Sequence, residues 1–299
     1  MARAGGKIIL LGEHAVVYGV PAIAAGIARG AEAEASAAPR AVLEIERLGQ
    51  FRSGEPHDTA RAFSALLAAL SAPPCAVRAR LELPPGCGLG GSAALGVAIA
   101  RAVLDHLGTP HEAEDTRVLK ATEAWETVFH GNPSGIDAAA AARGGCIQFR
   151  RGHPPEPLPV KVALTVAICL AGPASSTREM VAGVARLRER RPQVVDKALE
   201  GIHALVKNAR LAIGAGDLPA LGRLLDLNQM LLSGLFVSTE SIERCCSLAR
   251  DAGALGAKLT GAGGGGAVLA LIDGDATPVL DAWHAAGFEA FETRVAATP

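Results

Sequence analysis

Pro84-Pro85-Gly86-Cys87-Gly88-Leu89-Gly90-Gly91-Ser92-Ala93-Ala94 is the stretch on which the fold turns. The alternating residues Val77–Leu83 ahead of it read as a strand, and the Ala-rich run Ser92–Leu107 behind it reads as a helix. Glycines let the joining loop bend sharply and approach a ligand with no Cβ in the way. The unpaired N–H groups and the positive dipole end of the helix then face whatever the loop holds, and a triphosphate suits that field. Ser92 stands at the helix start, where its hydroxyl either caps the helix or ligates Mg²⁺.

Three readings of this loop compete. Gly86-x-Gly88-x-x-Gly91 matches a dinucleotide fingerprint, but the region Asp105–Asp115, where an acidic strand end is required, reads as a helix end and a loop. A Walker A loop needs Lys before the Ser, and Gly91 stands there. A tight strand-to-helix turn with no ligand is the third.

Outward from the loop, strands are expected at Lys7–Leu11, Ala22–Ile27, Ala31–Ser36 and Val42–Glu46, with a loop at Gly49–His57 and a helix at Thr59–Leu70. Downstream, Glu112–Phe129 is helical. Gly152–Pro159 carries Pro154, Pro155, Pro157 and Pro159, the expected domain boundary. Beyond it come a strand at Val162–Leu170 and helices at Arg178–Arg190, Gln193–Ala215, Leu218–Leu232 and Glu240–Ala252. The tail reads as strand Ala267–Ile272, helix Pro278–Ala286 and strand Glu289–Val295, an ending that fits an α+β sandwich.

Composition narrows the function classes. At roughly 100–200 residues per domain, 299 residues make one large domain or two ordinary ones. A 49% hydrophobic, 20% charged chain is globular, and a 3% aromatic content leaves the core to Ala, Val, Leu and Ile. The net charge of -1 sets up no field for nucleic acid or an anionic membrane. The one basic run, Arg186, Arg188, Arg190 and Arg191, lacks interleaved aromatics and reads as a solvated helix face. The six cysteines make no metal-ligand spacing, so free buried thiols in a reducing compartment are expected. The N-terminal apolar run ends at Glu13 and His14, too soon for a signal peptide, and the run after Ser92 is broken by Arg101. A cytoplasmic protein is the expectation.

Three further segments carry chemistry. Lys7-Ile8-Ile9-Leu10-Leu11-Gly12-Glu13-His14 puts a Lys before a strand and a Glu-His pair after it; taken alone, these are a strand-edge charge and a solvated turn. His130-Gly131-Asn132-Pro133-Ser134-Gly135-Ile136-Asp137 follows a helix bearing Glu126, which shares a face with His130 at i, i+4. Asp137 either deprotonates an alcohol beside a Lys or caps the Ala-rich segment after it. In Lys258-Leu259-Thr260-Gly261-Ala262-Gly263-Gly264-Gly265-Gly266, so many glycines cost conformational entropy unless backbone must approach closely; a hinge is the alternative.

Together the segments resemble the GHMP kinases, and GKIILLGEHAVVYG, HGNPSGID and KLTGAGGGG are each similar to motifs of the mevalonate kinase family. The resemblance runs in order from Lys7 to Gly266. It implies an α+β, two-domain GHMP kinase fold: an N-terminal mixed α/β domain, residues 1–160, with the phosphate loop and catalytic residues, and a C-terminal ferredoxin-like α/β sandwich, residues 161–299, with the active-site cleft between them. It implies ATP and Mg²⁺ as cofactors and mevalonate as the phosphoryl acceptor. By the same resemblance, Pro85, Gly86, Cys87, Gly88, Leu89, Gly90, Gly91, Ser92, Ala93 and Ala94 hold the ATP phosphates. Ser92 and Glu126 match metal ligands, and Asp137 and Lys7 match the catalytic pair. Glu13, His14, Thr177, Gly263 and Gly264 match substrate contacts. Two departures stand out: Gly91 replaces the usual first serine of the loop, and Gly5 replaces a proline before Lys7. No nucleic acid or membrane partner is expected, and a homodimer is left open. Another small-alcohol kinase of this superfamily, a non-catalytic nucleotide-binding regulator and a nicotinamide-dependent oxidoreductase are the alternatives. Arg143, Arg150, Arg151 and Arg178 are candidates for the acceptor's carboxylate.

Overall fold

The computed structural model describes residues 1–298 except Pro85, Ala113, Glu114, Asn132 and Ala174. The expectation for Pro85 therefore lies outside the described residues. Two compact units divide the chain: Met1–Lys7, Gly26–Pro85 and Gly90–Gly144 form the first, and Ile8–Ala25, Gly86–Leu89 and Gly145–Pro299 form the second.

The first unit holds the start of β1 (Ala2–Leu11), most of β2 (Ala22–Ala37), β3 (Val42–Ile45), β4 (Gly49–Arg52), α1 (Asp58–Ala69), β5 (Cys75–Leu81), α2 (Gly91–His106), α3 (Thr116–His130) and α4 (Ile136–Arg143). Its strands run in the order β4-β3-β5-β2, with β1 pairing β2. Strand β5 shows why the sheet has two faces. Cys75, Val77 and Ala79 point into the core while Arg78 and Arg80 point to water, as a two-residue period requires. Phe63, Leu66 and Leu67 of α1, the apolar face of α2, and Trp125 of α3 fill that core. Helix α2 is buried almost all round. Its alanines and Gly96 let α3 come close: a Cβ on Gly96 would lie 3.0 Å from both Thr122 Cγ2 and Trp125 Cδ1.

The pair of strands expected at Ala22–Ile27 and Ala31–Ser36 is one continuous strand, β2. Gly30 does not break it, because its glycine serves packing: a Cβ there would sit 1.9 Å from the Ala4 carbonyl oxygen of β1. The expected loop Gly49–His57 begins with the short strand β4, which pairs with β3 through a turn holding Arg47 at φ 66.

In the second unit, β6 (Cys146–Phe149) pairs with the first residues of β2 and with β7 (Glu156–Pro157). There follow β8 (Leu164–Gly172), α5 (Thr177–Arg190), α6 (Pro192–Ala215), α7 (Leu218–Gly234), α8 (Glu240–Asp251), β9 (Gly256–Thr260), β10 (Gly266–Ile272), α9 (Thr277–Ala285) and β11 (Glu289–Val295). The sheet order β11-β8-β10-β9, all antiparallel, is fourth-first-third-second among these four strands. With helices between the first and second and between the third and fourth, this is the expected ferredoxin-like arrangement. Strand β9 escaped the sequence reading because Lys258 interrupts a short, glycine-flanked run that turns out to be wholly buried. Arg188 in the basic run is not merely solvated: it bonds Asp196 at 2.7 Å and lies over the Tyr18 ring. The cysteines are free thiols, all buried except the half-buried Cys87. Among the described residues no helix is long and apolar enough to cross a membrane.

Candidate active site

The glycine loop needs its glycines at alternate positions. Gly86, Gly88 and Gly90 have φ of 73, 75 and 72, a region in which side-chain-bearing residues are strained. Gly90 is the residue before the first turn of α2, and no side chain caps that helix. Gly91 is already helical. Ser92 therefore lies inside the first turn and does not cap the helix.

Within the first unit, five expected site residues come together: Lys7, Asp137, Gly90, Ser92 and Glu126. Lys7 is almost wholly buried, and its Nζ lies 3.1 Å from Asp137 Oδ1, whose side chain is about a third exposed. Asp137 sits in the first turn of α4, behind the left-handed Gly135, where a carboxylate is favoured by the helix dipole. The end of the glycine loop meets this pair from the Lys7 side: a Cβ on Gly90 would be 2.7 Å from Lys7 Cγ. On α3, Glu126 accepts a short hydrogen bond from the Ser92 hydroxyl. Its other oxygen is 3.7 Å from His130 Nε2, one helical turn on.

Glu126 is the perturbed carboxyl of the group. Burial lifts it to about 7; the Ser92 hydrogen bond opposes the rise, the Asp137 charge adds to it, and Lys7 opposes it. A nearly buried carboxylate touching a hydroxyl is an all-oxygen donor pair. That suits Mg²⁺, which takes one or two protein oxygens and completes its shell from phosphates and water.

Within the second unit, Glu13 and His14 follow Gly12 in a tight turn with φ of 104 at Gly12 and 58 at His14. Both side chains are committed inside the protein. Glu13 pairs with Lys258 of β9, neither side chain showing any exposure, and accepts from Asn228 Nδ2 at 3.2 Å. Burial raises the Glu13 carboxyl above the usual range, with Lys258 as the main opposing influence. His14 bonds the Ala262 carbonyl through Nε2 at 2.8 Å, which fixes that nitrogen as the protonated one, and burial lowers its pKa. The solvated turn expected of these two residues in isolation is thus not what forms. Lys258 enters the sequence only as the residue opening the second glycine run, with no role assigned, and Asn228 carries no sequence signal.

That run is likewise a matter of close backbone approach. Gly261, Gly263, Gly264, Gly265 and Gly266 all have positive φ. A Cβ on Gly261 would lie 3.3 Å from the Gly88 carbonyl oxygen, so the run touches the first half of the phosphate loop. Gly264 donates to Val237 O at 2.8 Å, and its own carbonyl oxygen accepts from the Ser175 hydroxyl at 2.9 Å, two residues before Thr177. Thr177 opens α5 and is exposed. Of the arginine candidates for a carboxylate, Arg150 donates to Gly19 O at 3.0 Å.

Residues 58–145 match the GHMP kinases N terminal domain and residues 203–289 match the GHMP kinases C terminal model. Mevalonate kinase of Thermococcus gammatolerans is 35% identical, over 96% of this chain and 93% of that protein. Mevalonate kinase of Aeropyrum pernix is 33% identical, over 99% of this chain and 95% of that one. Among solved structures, that of L. major mevalonate kinase in complex with R-mevalonate superposes with a TM-score of 0.89 at 27% identity, covering 100% of this chain and 96% of that one. Methanococcus jannaschii mevalonate kinase shares the fold, with a TM-score of 0.84 at 22% identity over 99% and 97% of the two chains.

Proposed function

This chain belongs to the GHMP kinases, in their mevalonate kinase branch, and from that premise we propose that it transfers the γ-phosphoryl group of ATP to the primary hydroxyl of mevalonate. The single observation that carries the mechanism is the Lys7–Asp137 pair, 3.1 Å apart, lying against the end of the glycine loop. Asp137 orients the acceptor hydroxyl and takes its proton as the oxygen attacks the γ-phosphorus and ADP departs. Lys7 offsets negative charge at the reacting oxygens. N–H groups of the glycine loop and the first turn of α2 bind the phosphates.

Ser92 and Glu126 hold Mg²⁺ in this reading, and when bound the ion supplies positive charge to the phosphate oxygens. Gly86, Cys87, Gly88, Leu89, Gly90, Gly91, Ala93 and Ala94 complete the ATP site. Glu13, His14, Thr177, Gly263 and Gly264 bound the acceptor, Glu13 and His14 through the turn they fix. Residues 1–160 and 161–299 are the two functional domains. A cytoplasmic location is part of the same proposal and is tested by cell fractionation; light scattering decides the homodimer that the sequence leaves open.

A coupled ADP-release assay with mevalonate, phosphomevalonate, galactose and homoserine tests the substrate. Turnover with one of the other alcohols and none with mevalonate overturns it. Folded Asp137→Ala and Lys7→Met variants are expected to lose several orders of magnitude in turnover. Near-parent rates in either remove the assigned role.

A further inference from the structure

We infer that Trp125 is a positioning residue that sets the direction of the Ser92 hydroxyl, holding one oxygen lone pair ready for a divalent cation. The inference rests on the cation reading of Ser92 and Glu126. Trp125 is buried to 1% exposure, and its indole Nε1 is 3.1 Å from the Ser92 carbonyl oxygen and 3.2 Å from Ser92 Oγ. Ser92 Oγ–H in turn donates to Glu126 Oε1. Consecutive residues of α3 thus take the same hydroxyl from two sides.

A serine hydroxyl has one hydrogen and two lone pairs. Here Glu126 receives the hydrogen, and the single indole N–H, shared between the Ser92 carbonyl oxygen and Oγ, is directed at one hydroxyl lone pair, so the second lone pair is the one left open. A lone hydrogen bond to Glu126 leaves the hydroxyl free to rotate about its contact. The indole closes that freedom, because an indole nitrogen only donates and cannot exchange roles with the hydroxyl. The ring is buried and packed on two sides. Gly96 lets it lie against α2, where a Cβ would be 3.0 Å from Cδ1 and 3.3 Å from Cγ, and Phe129 packs beside it with ring centroids 5.4 Å apart. The tryptophan therefore fixes the donor–acceptor sense of Ser92 from outside the oxygen pair itself, as groups behind metal ligands do elsewhere.

Trp125→Phe keeps an aromatic ring and removes the N–H. Trp283→Phe is the control, since Trp283 is also buried and donates to Cys245 O at 2.8 Å in the other unit. Mn²⁺ is titrated into each protein with a non-hydrolysable ATP analogue, unbound Mn²⁺ is read by electron paramagnetic resonance, and the half-saturating Mg²⁺ is measured in the ADP-release assay. Removing such a supporting group lowers metal affinity about 10–100-fold. Trp125→Phe is expected to show that loss in both measurements with the KM for the alcohol unchanged, while Trp283→Phe loses thermal stability only. Ser92→Ala separates the two levels. If Ser92→Ala binds Mn²⁺ like the parent, the cation reading itself falls. If Ser92→Ala is impaired and Trp125→Phe is not, or if Trp283→Phe is impaired equally, the positioning role is overturned. Should Trp125→Phe fail to fold, site-specific replacement by benzothienylalanine, which keeps the indole shape without the N–H, takes its place with the same expected outcomes.

Discussion

Replacing Gly90 by Ala puts a single methyl group where the glycine loop meets the proposed catalytic lysine. Two costs follow from the structure. The first is conformational: Gly90 has φ 72, and placing an L side chain there costs about 1–2 kcal/mol. The second is steric: the new Cβ would lie 2.7 Å from Lys7 Cγ and 3.5 Å from Lys7 Cε. Ordinary contact between carbons is about 3.5–4.0 Å, so the middle of the lysine stem must retreat by about 1 Å. Lys7 is nearly buried and cannot swing into water, so its ammonium moves relative to Asp137. A misplacement of about 1 Å costs up to about 100-fold in rate.

Gly86→Ala provides the comparison. Its φ of 73 carries the same conformational cost, but a Cβ there meets nothing within 4 Å. Both variants are expected to lose about 1–2 kcal/mol in urea unfolding, Gly90→Ala somewhat more. In the ADP-release assay kcat should fall at least about tenfold further in Gly90→Ala than in Gly86→Ala. Equal rates in the two variants, both folded, would refute the placement of Lys7 against the loop as a determinant of catalysis.

Lys258→Met removes one partner of the wholly buried Glu13–Lys258 pair and is expected to cost about 3–5 kcal/mol. The loss should depend on pH. Burial raises Glu13 above its ordinary 4.5 in the folded state, so its favourable contribution is complete below that value and disappears as pH rises through the folded pKa. Without Lys258 that folded pKa climbs further; urea midpoints at pH 5 and pH 8 should show the variant more impaired at pH 8, and a pH-independent deficit would count against the buried-charge account. Gly91→Ser places a side chain at a helical position where the nearest atoms to a Cβ are the Leu81 methyl carbons at 3.5 Å and Leu83 Cβ at 3.9 Å, ordinary contact distances. It should gain about 0.4–1 kcal/mol by thermal unfolding and keep its turnover, and a marked loss of either contradicts the helical placement of Gly91. His14→Gly relieves a side-chain-bearing residue at φ 58 but deletes the bond to Ala262; a net loss of stability is expected in thermal unfolding, because a half-buried carbonyl loses its donor and the buried imidazole its packing.

The local periodicities were enough to place most of the helices within a residue or two, because a buried stripe recurring every 3.6 residues is written into the chain itself, but α3 starts at Thr116 rather than Glu112 and the short α4 was read only as an Ala-rich segment. They also marked the glycine loop, since backbone that must turn left-handed three times selects glycine over other residues. What local pattern could not report was the purpose of a glycine or of a buried charge. Gly30 looked like a strand breaker and is a contact point for β1. The five-residue strand β9 was missed because its run is short and carries Lys258, a lysine neutralised by Glu13 from a distant part of the chain. Glu13 and His14 read as a solvated turn on local grounds and are both buried. The resemblance named Lys7 with Asp137 and Ser92 with Glu126, but the 3.1 Å contact of the first pair, the grip of Trp125 on Ser92 and the raised pKa of Glu126 belong to the tertiary structure alone. The physical reason is range. Helix and turn preferences come from groups a few residues apart, whereas desolvation and ion pairing depend on what the folded chain brings alongside, and those partners have no fixed separation in sequence.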